Sequence, residues 1–376
     1  MLPLLSRFHS TRPRYEFTQE AGLEWLAAAH AEAEAALENL DEKQRSRFAS
    51  SIARVLRRVA CQPDKISTRG HSVADIGASA WDDGVLYNVR REPRGRGTEA
   101  RTKLFAEITD AYFEAEYSAE SVLPDDLIHV TCTGYVSPNG AQKLVAKRGW
   151  GATTRVTNAY QMGCYAAVPA LRIASGFVAT SSRRVDIVHT ELCSLHFHPE
   201  DHSLEQLVVQ SLFADGLIRY SMTADHGGEG LRVRAVHEQL IADSADSMSW
   251  IAGDTGMQMT LARDVPDRIA KGVRQFVLDL YSRAGIGLER MRESVFAVHP
   301  GGPKIIDQVR KVLELDEPQI AASRSVLFDY GNMSSATLPH IWMRLLADPR
   351  VPVGTIIPSL AFGPGLTMCG ALLEKR

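Results

Sequence analysis

Short apolar runs rich in β-branched residues alternate with helical stretches in both halves of this 376-residue chain. "DLIHVTCTG" (126–134) and "RRVDIVHTEL" (183–192) read as buried strands. "LIRYSM" and "LRVRAVHEQLIA" follow as strands, as do "SVFAVH" (294–299), "VGTIIPSLAFG" (353–363) and "LTMCGALLE" (366–374). Between them "SLEQLVVQSLFADG" (203–216) has a helical period and stops at glycine, as a C-cap would. Helices are expected over about 264–288 and 303–314, the second opened by Pro303 in its first turn. Such alternation implies a mainly α/β architecture.

Upstream, "LEWLAAAHAEAEAALENL" (23–40) reads as a surface amphipathic helix and "RFASSIARVLRRVA" (47–60) as a second one. The charged, glycine-containing "RREPRGRGTEARTK" (90–103) is expected to be an exposed loop leading into another helix. A formal charge of -3 argues against a nucleic-acid or anionic-membrane platform. No run approaches the roughly 18 apolar residues of a membrane span, and the opening "MLPLLSRFHS" is too short for a secretory signal. Five scattered cysteines without a C-x-x-C pair suit free thiols in a reducing, cytoplasmic compartment.

Two segments echo one another. "MGCYAAVPALRI" and "YGNMSSATLPHIWMRL" each place a glycine, a polar residue and then small residues at the opening of a helix, suggesting a duplicated unit with paired central helices. In the first, Cys164 stands where a helix dipole favours the thiolate. In the second, Asn332 is either an N-cap or an amide donor aimed into a cavity. "FAVHPGGPKIID" (296–307) ends an apolar strand with His299, beside glycines that permit close approach of backbone to a ligand. Cys, His and Asn together support two chemistries. In a cysteine hydrolase His deprotonates Cys and Asn orients His. In a condensing enzyme His and Asn donate hydrogen bonds to a thioester carbonyl and to the enolate left by decarboxylation. Spacing does not separate them.

"GCYAAVPALRIA", "HPGGPKIIDQV", "YGNMSSATL" and "LAFGPGLTMCGALLEK" resemble, in order, the signature segments of type III polyketide synthases, the chalcone synthase-like family. The resemblance implies an α/β, thiolase-like fold with a layered αβαβα core, and a homodimer. The halves would run 1–222, carrying the cysteine, and 223–376, carrying His and Asn. By the same resemblance Cys164 receives the acyl starter, His299 keeps it a thiolate and binds the thioester oxygen, and Asn332 stabilises the enolate formed from malonyl-CoA. No cofactor is implied beyond CoA thioesters as substrates, the starter arriving on CoA or on an acyl carrier protein.

Phe213 matches a gatekeeper aromatic between CoA tunnel and cavity, and Met259 replaces a second such phenylalanine. Cys193 and His196 stand where plant members have threonines, Trp250 where they have a cavity glycine, and Ser137 on a loop reaching towards the partner's cavity. Cys132, Thr133, Ser334, Phe362 and Pro364 complete the implied substrate wall. Met259 and Cys193 make that wall more apolar and yielding, which suits a fatty-acyl starter, as does the overall likeness to bacterial alkylresorcinol and alkylpyrone synthases. Arg54, Arg57, Arg58 and Lys304 are the candidates for CoA phosphates. "ELCSLHFHPEDH" (191–202) resembles a metal cluster, but its spacing matches no common site and Cys193 and His196 would face opposite sides of a strand, so no metal is expected. The rival readings are a single-round β-ketoacyl carrier-protein synthase, a Cys-His-Asn hydrolase and a noncatalytic binding protein.

Overall fold

The computed structural model describes residues 2–118, 122–181 and 183–376. Strands β1 (Pro3–Thr11) and β2 (Tyr15–Thr18) precede helices α1 (Gln19–Glu38) and α2 (Glu42–Val59), then β3 (Thr68–His71) and α3 (Thr98–Glu116). Next come β4 (Asp126–Thr131), α4 (Gly140–Lys147), β5 (Arg155–Tyr160), α5 (Ala167–Thr180), β6 (Val185–Glu191), α6 (Leu204–Leu212) and β7 (Gly216–Ala224). The chain continues through β8 (Leu231–Leu240), β9 (Met248–Gly253), β10 (Gly256–Leu261), α7 (Val265–Ala284), β11 (Ala297–Val298) and α8 (Pro303–Leu313). It closes with α9 (Glu317–Tyr330), α10 (Thr337–Ala347), β12 (Ile356–Gly363) and β13 (Thr367–Lys375).

A nine-stranded mixed sheet runs in the order β11-β12-β13-β8-β1-β7-β6-β4-β5. β1 lies at its middle, paired antiparallel to β7 along its length and to β8 through Leu4 and Leu5. That strand comes from the opening segment, which has little local signature of its own. Its pairing is non-local, and periodicity over a few residues does not reveal it. Helix α5 packs on β4, β6 and β7 of one side and on β13 of the other, while α10 meets β7 and β11. Ala167, Leu171, Ile341 and Trp342 from these two helices share one apolar core with strands of both halves. The paired central helices expected from the sequence echo are therefore present. Each is entered through a 3-10 turn, Gly163–Tyr165 before α5 and Ser334–Ala336 before α10, and the two turns pack together.

Helix α1 departs from expectation. Trp25, Leu26, Ala29, His30 and Ala33 are buried, so it is an interior helix over most of its length rather than a surface one. Alanine, small and without a polar group, does not mark which face is buried; here the alanines permit close packing against α2 and α6. The hairpin β9–β10 forms a separate two-stranded sheet, with Met259 directly opposite Trp250. Cross-strand partners project to the same face. That face is turned towards Cys164.

Candidate active site

Two glycines set the position of the thiol. Gly163 adopts a positive φ of 73°, and a Cβ there would lie 2.5 Å from Pro364 Cδ. A Cβ on Gly363 would lie 2.6 Å from the Tyr165 ring, and 3.4 Å from the Cys164 nitrogen. The Cys164 turn is thus pressed directly onto the end of β12, with no room for a side chain on either glycine. Cys164 is buried, and its sulfur lies 3.6 Å from Ser334 Oγ. Cys132 Sγ is 3.1 Å from the same hydroxyl. Ser334 holds a left-handed φ of 49°, a strained conformation for serine that places its hydroxyl between the two sulfurs.

His299 follows β11, whose Val298 pairs with Leu360 of β12, and the His299 N–H donates to Leu360 O at 2.7 Å. Three residues further along β12, Gly363 meets the Cys164 turn, so one strand carries both segments. The imidazole is 1% exposed, and among the described residues neither ring nitrogen has a hydrogen-bond partner. Leaving a buried polar group unmade costs about 1–3 kcal/mol. An imidazole with both nitrogens free of protein partners has both available to a bound molecule or to water.

Asn332 is not the cap of α10, which begins at Thr337. Its backbone is bridged to the end of α6: Asn332 N–H donates to Leu212 O at 3.0 Å, and Ala214 N–H to Asn332 O at 2.9 Å. Its side-chain Oδ1 accepts from Ser334 N–H at 2.9 Å, an Asx-type turn. A backbone N–H needs an acceptor, so this bond orients the amide and directs Nδ2 away from the turn as a donor.

Burial governs the charge of the thiol and the imidazole. It pushes Cys164 from an ordinary 9 up to about 12, opposed by the Ser334 hydrogen bond, and pushes His299 down to about 3. The thiol shift corresponds to about 4 kcal/mol, against about 0.3–2 kcal/mol from a helix dipole. Burial wins. The thiolate–imidazolium pair expected from the sequence is therefore favoured by neither group's own surroundings, and His299 makes no hydrogen bond to the sulfur. The two can become charged only together, by direct neutralisation.

A small cavity opens at the sulfur, walled by Cys132, Thr133, Cys193, Ser334 and Pro364. Phe213, Trp250 and Met259 close it, and these three with Cys193 also face a second, larger chamber bounded by α1, α6 and β3. Cys193 and His196 lie on a 3-10 turn rather than a strand, and both line the larger chamber. The expectation that they face opposite sides fails because their segment is not extended. His196 Nε2–H donates to Thr133 O at 2.8 Å while its Nδ1 accepts from Met257 N–H at 3.0 Å, so it brackets the hairpin to the cavity wall. Trp250 stands edge-on to that ring and donates its indole N–H to Cys132 O at 2.5 Å. His198 and His202 bond to Met257 O and Glu34.

Other expected residues lie elsewhere. Phe362 faces neither space; it is buried in the apolar cluster beneath α7, because alternation along β12 turns it away from the sulfur. Ser137 is exposed and outside the cavity of its own chain. Arg54, Arg57 and Arg58 are exposed on one face of α2, and Lys304 is exposed at the start of α8. Glu191 went unnoticed in the sequence. Fully buried at the end of β6, it accepts from Cys132 N–H and Thr133 Oγ1, each at 3.1 Å, and from the Ser335 hydroxyl. Burial raises its carboxyl to about 7. An acidic residue closing a buried strand was the available signal.

Residues 119–225 match the family model for the N-terminal domain of chalcone and stilbene synthases, and residues 232–375 that for their C-terminal domain. The 1,3,6,8-tetrahydroxynaphthalene synthase of Streptomyces coelicolor is 30% identical over 273 residues, 72% of this chain and 71% of that one. Type III polyketide synthase C of Arabidopsis thaliana is 30% identical over 258 residues, 66% and 67% of the two chains. Among solved structures, the C-terminal type III polyketide synthase domain of Steely1 from Dictyostelium superposes with a TM-score of 0.83 at 22% identity, covering 100% of this chain and 99% of that one. The tetrahydroxynaphthalene synthase of S. coelicolor A3(2) gives 0.79 at 24% identity, covering 99% of each. The thiolase-like fold implied by the sequence is the fold found.

Proposed function

Since the chain belongs to the chalcone and stilbene synthase family, and so is a type III polyketide synthase and an acyltransferase, we propose that Cys164, His299 and Asn332 carry its decarboxylative condensation. The observation behind this reading is the pair of orphaned His299 nitrogens, buried beside β12, the strand against which the Cys164 turn also packs. Cys164 gives its proton to His299 and attacks the starter thioester; CoA leaves as a thiol with that proton. Malonyl-CoA then loses carbon dioxide. The enolate oxygen is met by a His299 N–H and by Asn332 Nδ2, the second aimed by Ser334. Each such donor supplies about 3 kcal/mol. The enolate carbon attacks the Cys164 thioester and the sulfur leaves as a thiolate; it then takes the lengthened chain from its CoA thioester, and CoA departs as the leaving group.

The starter in this proposal is a fatty acyl group, and the product an alkylresorcinol or alkylpyrone. Support comes from the apolar lining behind Phe213 and Met259, whose walls include Trp25, Leu26, Ile76 and Val209. Burying each methylene of an acyl chain there contributes about 0.8 kcal/mol. CoA phosphates would meet Arg54, Arg57 and Arg58, whose spacing puts them on one helix face, with Lys304 at the rim. The working form is a cytoplasmic homodimer; among the described residues no helix is long and apolar enough to cross a membrane.

Labelled malonyl-CoA offered with acyl-CoAs of graded length tests the reading. Products that retain the acyl tail support it. Tetrahydroxynaphthalene, the product naming two Streptomyces relatives, holds ten carbons and no tail. Its formation from malonyl-CoA alone would overturn the fatty-acyl starter while leaving the condensing chemistry intact.

A further inference from the structure

Arg69 is a guanidinium without an acid. It lies on β3, is 4% exposed, and among the described residues no carboxylate comes within ion-pair distance of it. Buried charges are normally paired. What it meets instead is the end of α6. Arg69 Nη1 donates to Gln210 O at 2.8 Å and to Phe213 O at 2.9 Å, and its Nε donates to Gln19 Oε1 at 2.7 Å. Gln19 in turn donates to Ser211 O at 2.7 Å.

These bonds complete the C-terminus of α6. Of its last carbonyls, Val209 O is taken by Phe213 N–H, Gln210 O by Arg69, Ser211 O by Gln19 and Leu212 O by the N–H of Asn332. Cations and donors at that end also match the negative pole of the helix. The stem of Arg69 lies over Gly331, where a Cβ would come within 3.1 Å of its Cγ and 3.0 Å of Leu212 O. One side chain therefore touches the residue before Asn332, the carbonyl of Phe213, and the helix end to which Asn332 is bridged.

We propose that Arg69 is a positioning residue for decarboxylation, holding the α6 terminus so that the Asn332 amide and the Phe213 ring, which closes the Cys164 cavity, keep fixed places. The inference rests on the role given to Asn332 above. A displacement of about 1 Å at such a site costs about 10²-fold in rate.

The test is a double-mutant cycle on labelled carbon dioxide release from malonyl-CoA, using the full chain. Asn332→Ala alone is expected to slow release strongly; wild-type release by that variant would overturn the Asn332 reading itself. Arg69→Met is expected to lower kcat about 10²-fold, and Arg69→Met with Asn332→Ala to lose no more than Asn332→Ala alone. Multiplying losses, or undiminished release by Arg69→Met beside an impaired Asn332→Ala, would overturn the role of Arg69. Should Arg69→Met not fold, Gln19→Met takes its place in the same cycle, with the same two outcomes.

Discussion

The hydroxyl of Ser334 lies 3.6 Å from the sulfur of Cys164. It draws the thiol back towards ionisation, as the Cys164 backbone N–H also does more weakly, while burial above all and the Glu191 carboxylate push the other way. Ser334→Ala should therefore slow alkylation of Cys164 by iodoacetamide at pH 8 by about ten-fold, the worth of about 1.4 kcal/mol of a hydrogen bond to a charged group. Ser334→Gly should slow it equally, yet raise stability by about 1 kcal/mol by relieving the left-handed serine. Unchanged alkylation in both variants would remove the hydroxyl from the account.

His299 offers the only nearby base proposed for that thiol. In His299→Gln the thiol keeps its burial and loses its proton acceptor. Alkylation of Cys164 in this variant is expected to keep rising with pH beyond 9, following a thiol pushed up to about 12. A plateau below pH 8 would show that the thiolate is stabilised without the imidazole.

Trp250 divides the space at the sulfur from the larger chamber, facing both. Trp250→Phe retains most of the wall and loses the bond to Cys132 O, costing about 1 kcal/mol. Trp250→Ala joins the two spaces and should lengthen the products by at least one extension, at a stability cost of about 3 kcal/mol. Mass spectrometry of the products checks both. Identical product lengths in the wild type and the alanine variant would count against Trp250 as a partition.

Acid should destabilise this protein before it protonates exposed carboxylates. His129, His189, His196 and His299 are lowered by burial to about 3, and His30, His71 and His340 to about 4. Unfolded, each takes a proton near 6.5, so between about pH 6.5 and 4 the unfolded chain binds more protons and stability falls as pH falls. Glu191 and Asp215, raised to about 7 and about 6, act in the opposite sense but are outnumbered. The urea midpoint should drop markedly from pH 7.5 to pH 5.0. A midpoint that holds or rises at pH 5.0 would contradict the burial of these rings.

Much of the site's cast was legible in the chain. Cys164, His299 and Asn332 stand at element boundaries, and boundaries leave local marks: a glycine, a proline, a change of period. The four signature segments named the family for the same reason, since each is short and contiguous. Helix α1 was misjudged because alanine is silent about which side it buries. The turn at 193–196 was misjudged because a few polar residues carry no period.

By itself the sequence determined the α/β alternation, the duplicated turn-and-helix unit and the identity of three chemical groups, all of which depend on interactions a few residues long. The central place of β1, the hairpin that sets Trp250 beside Met259, the hydroxyl shared by Cys132 and Cys164, and the two unpartnered nitrogens of His299 were decided only by the tertiary structure. β1 and β7, and Ser334 and the two sulfurs, lie well over a hundred positions apart. Whether a buried nitrogen finds a partner depends on what the rest of the fold brings to it.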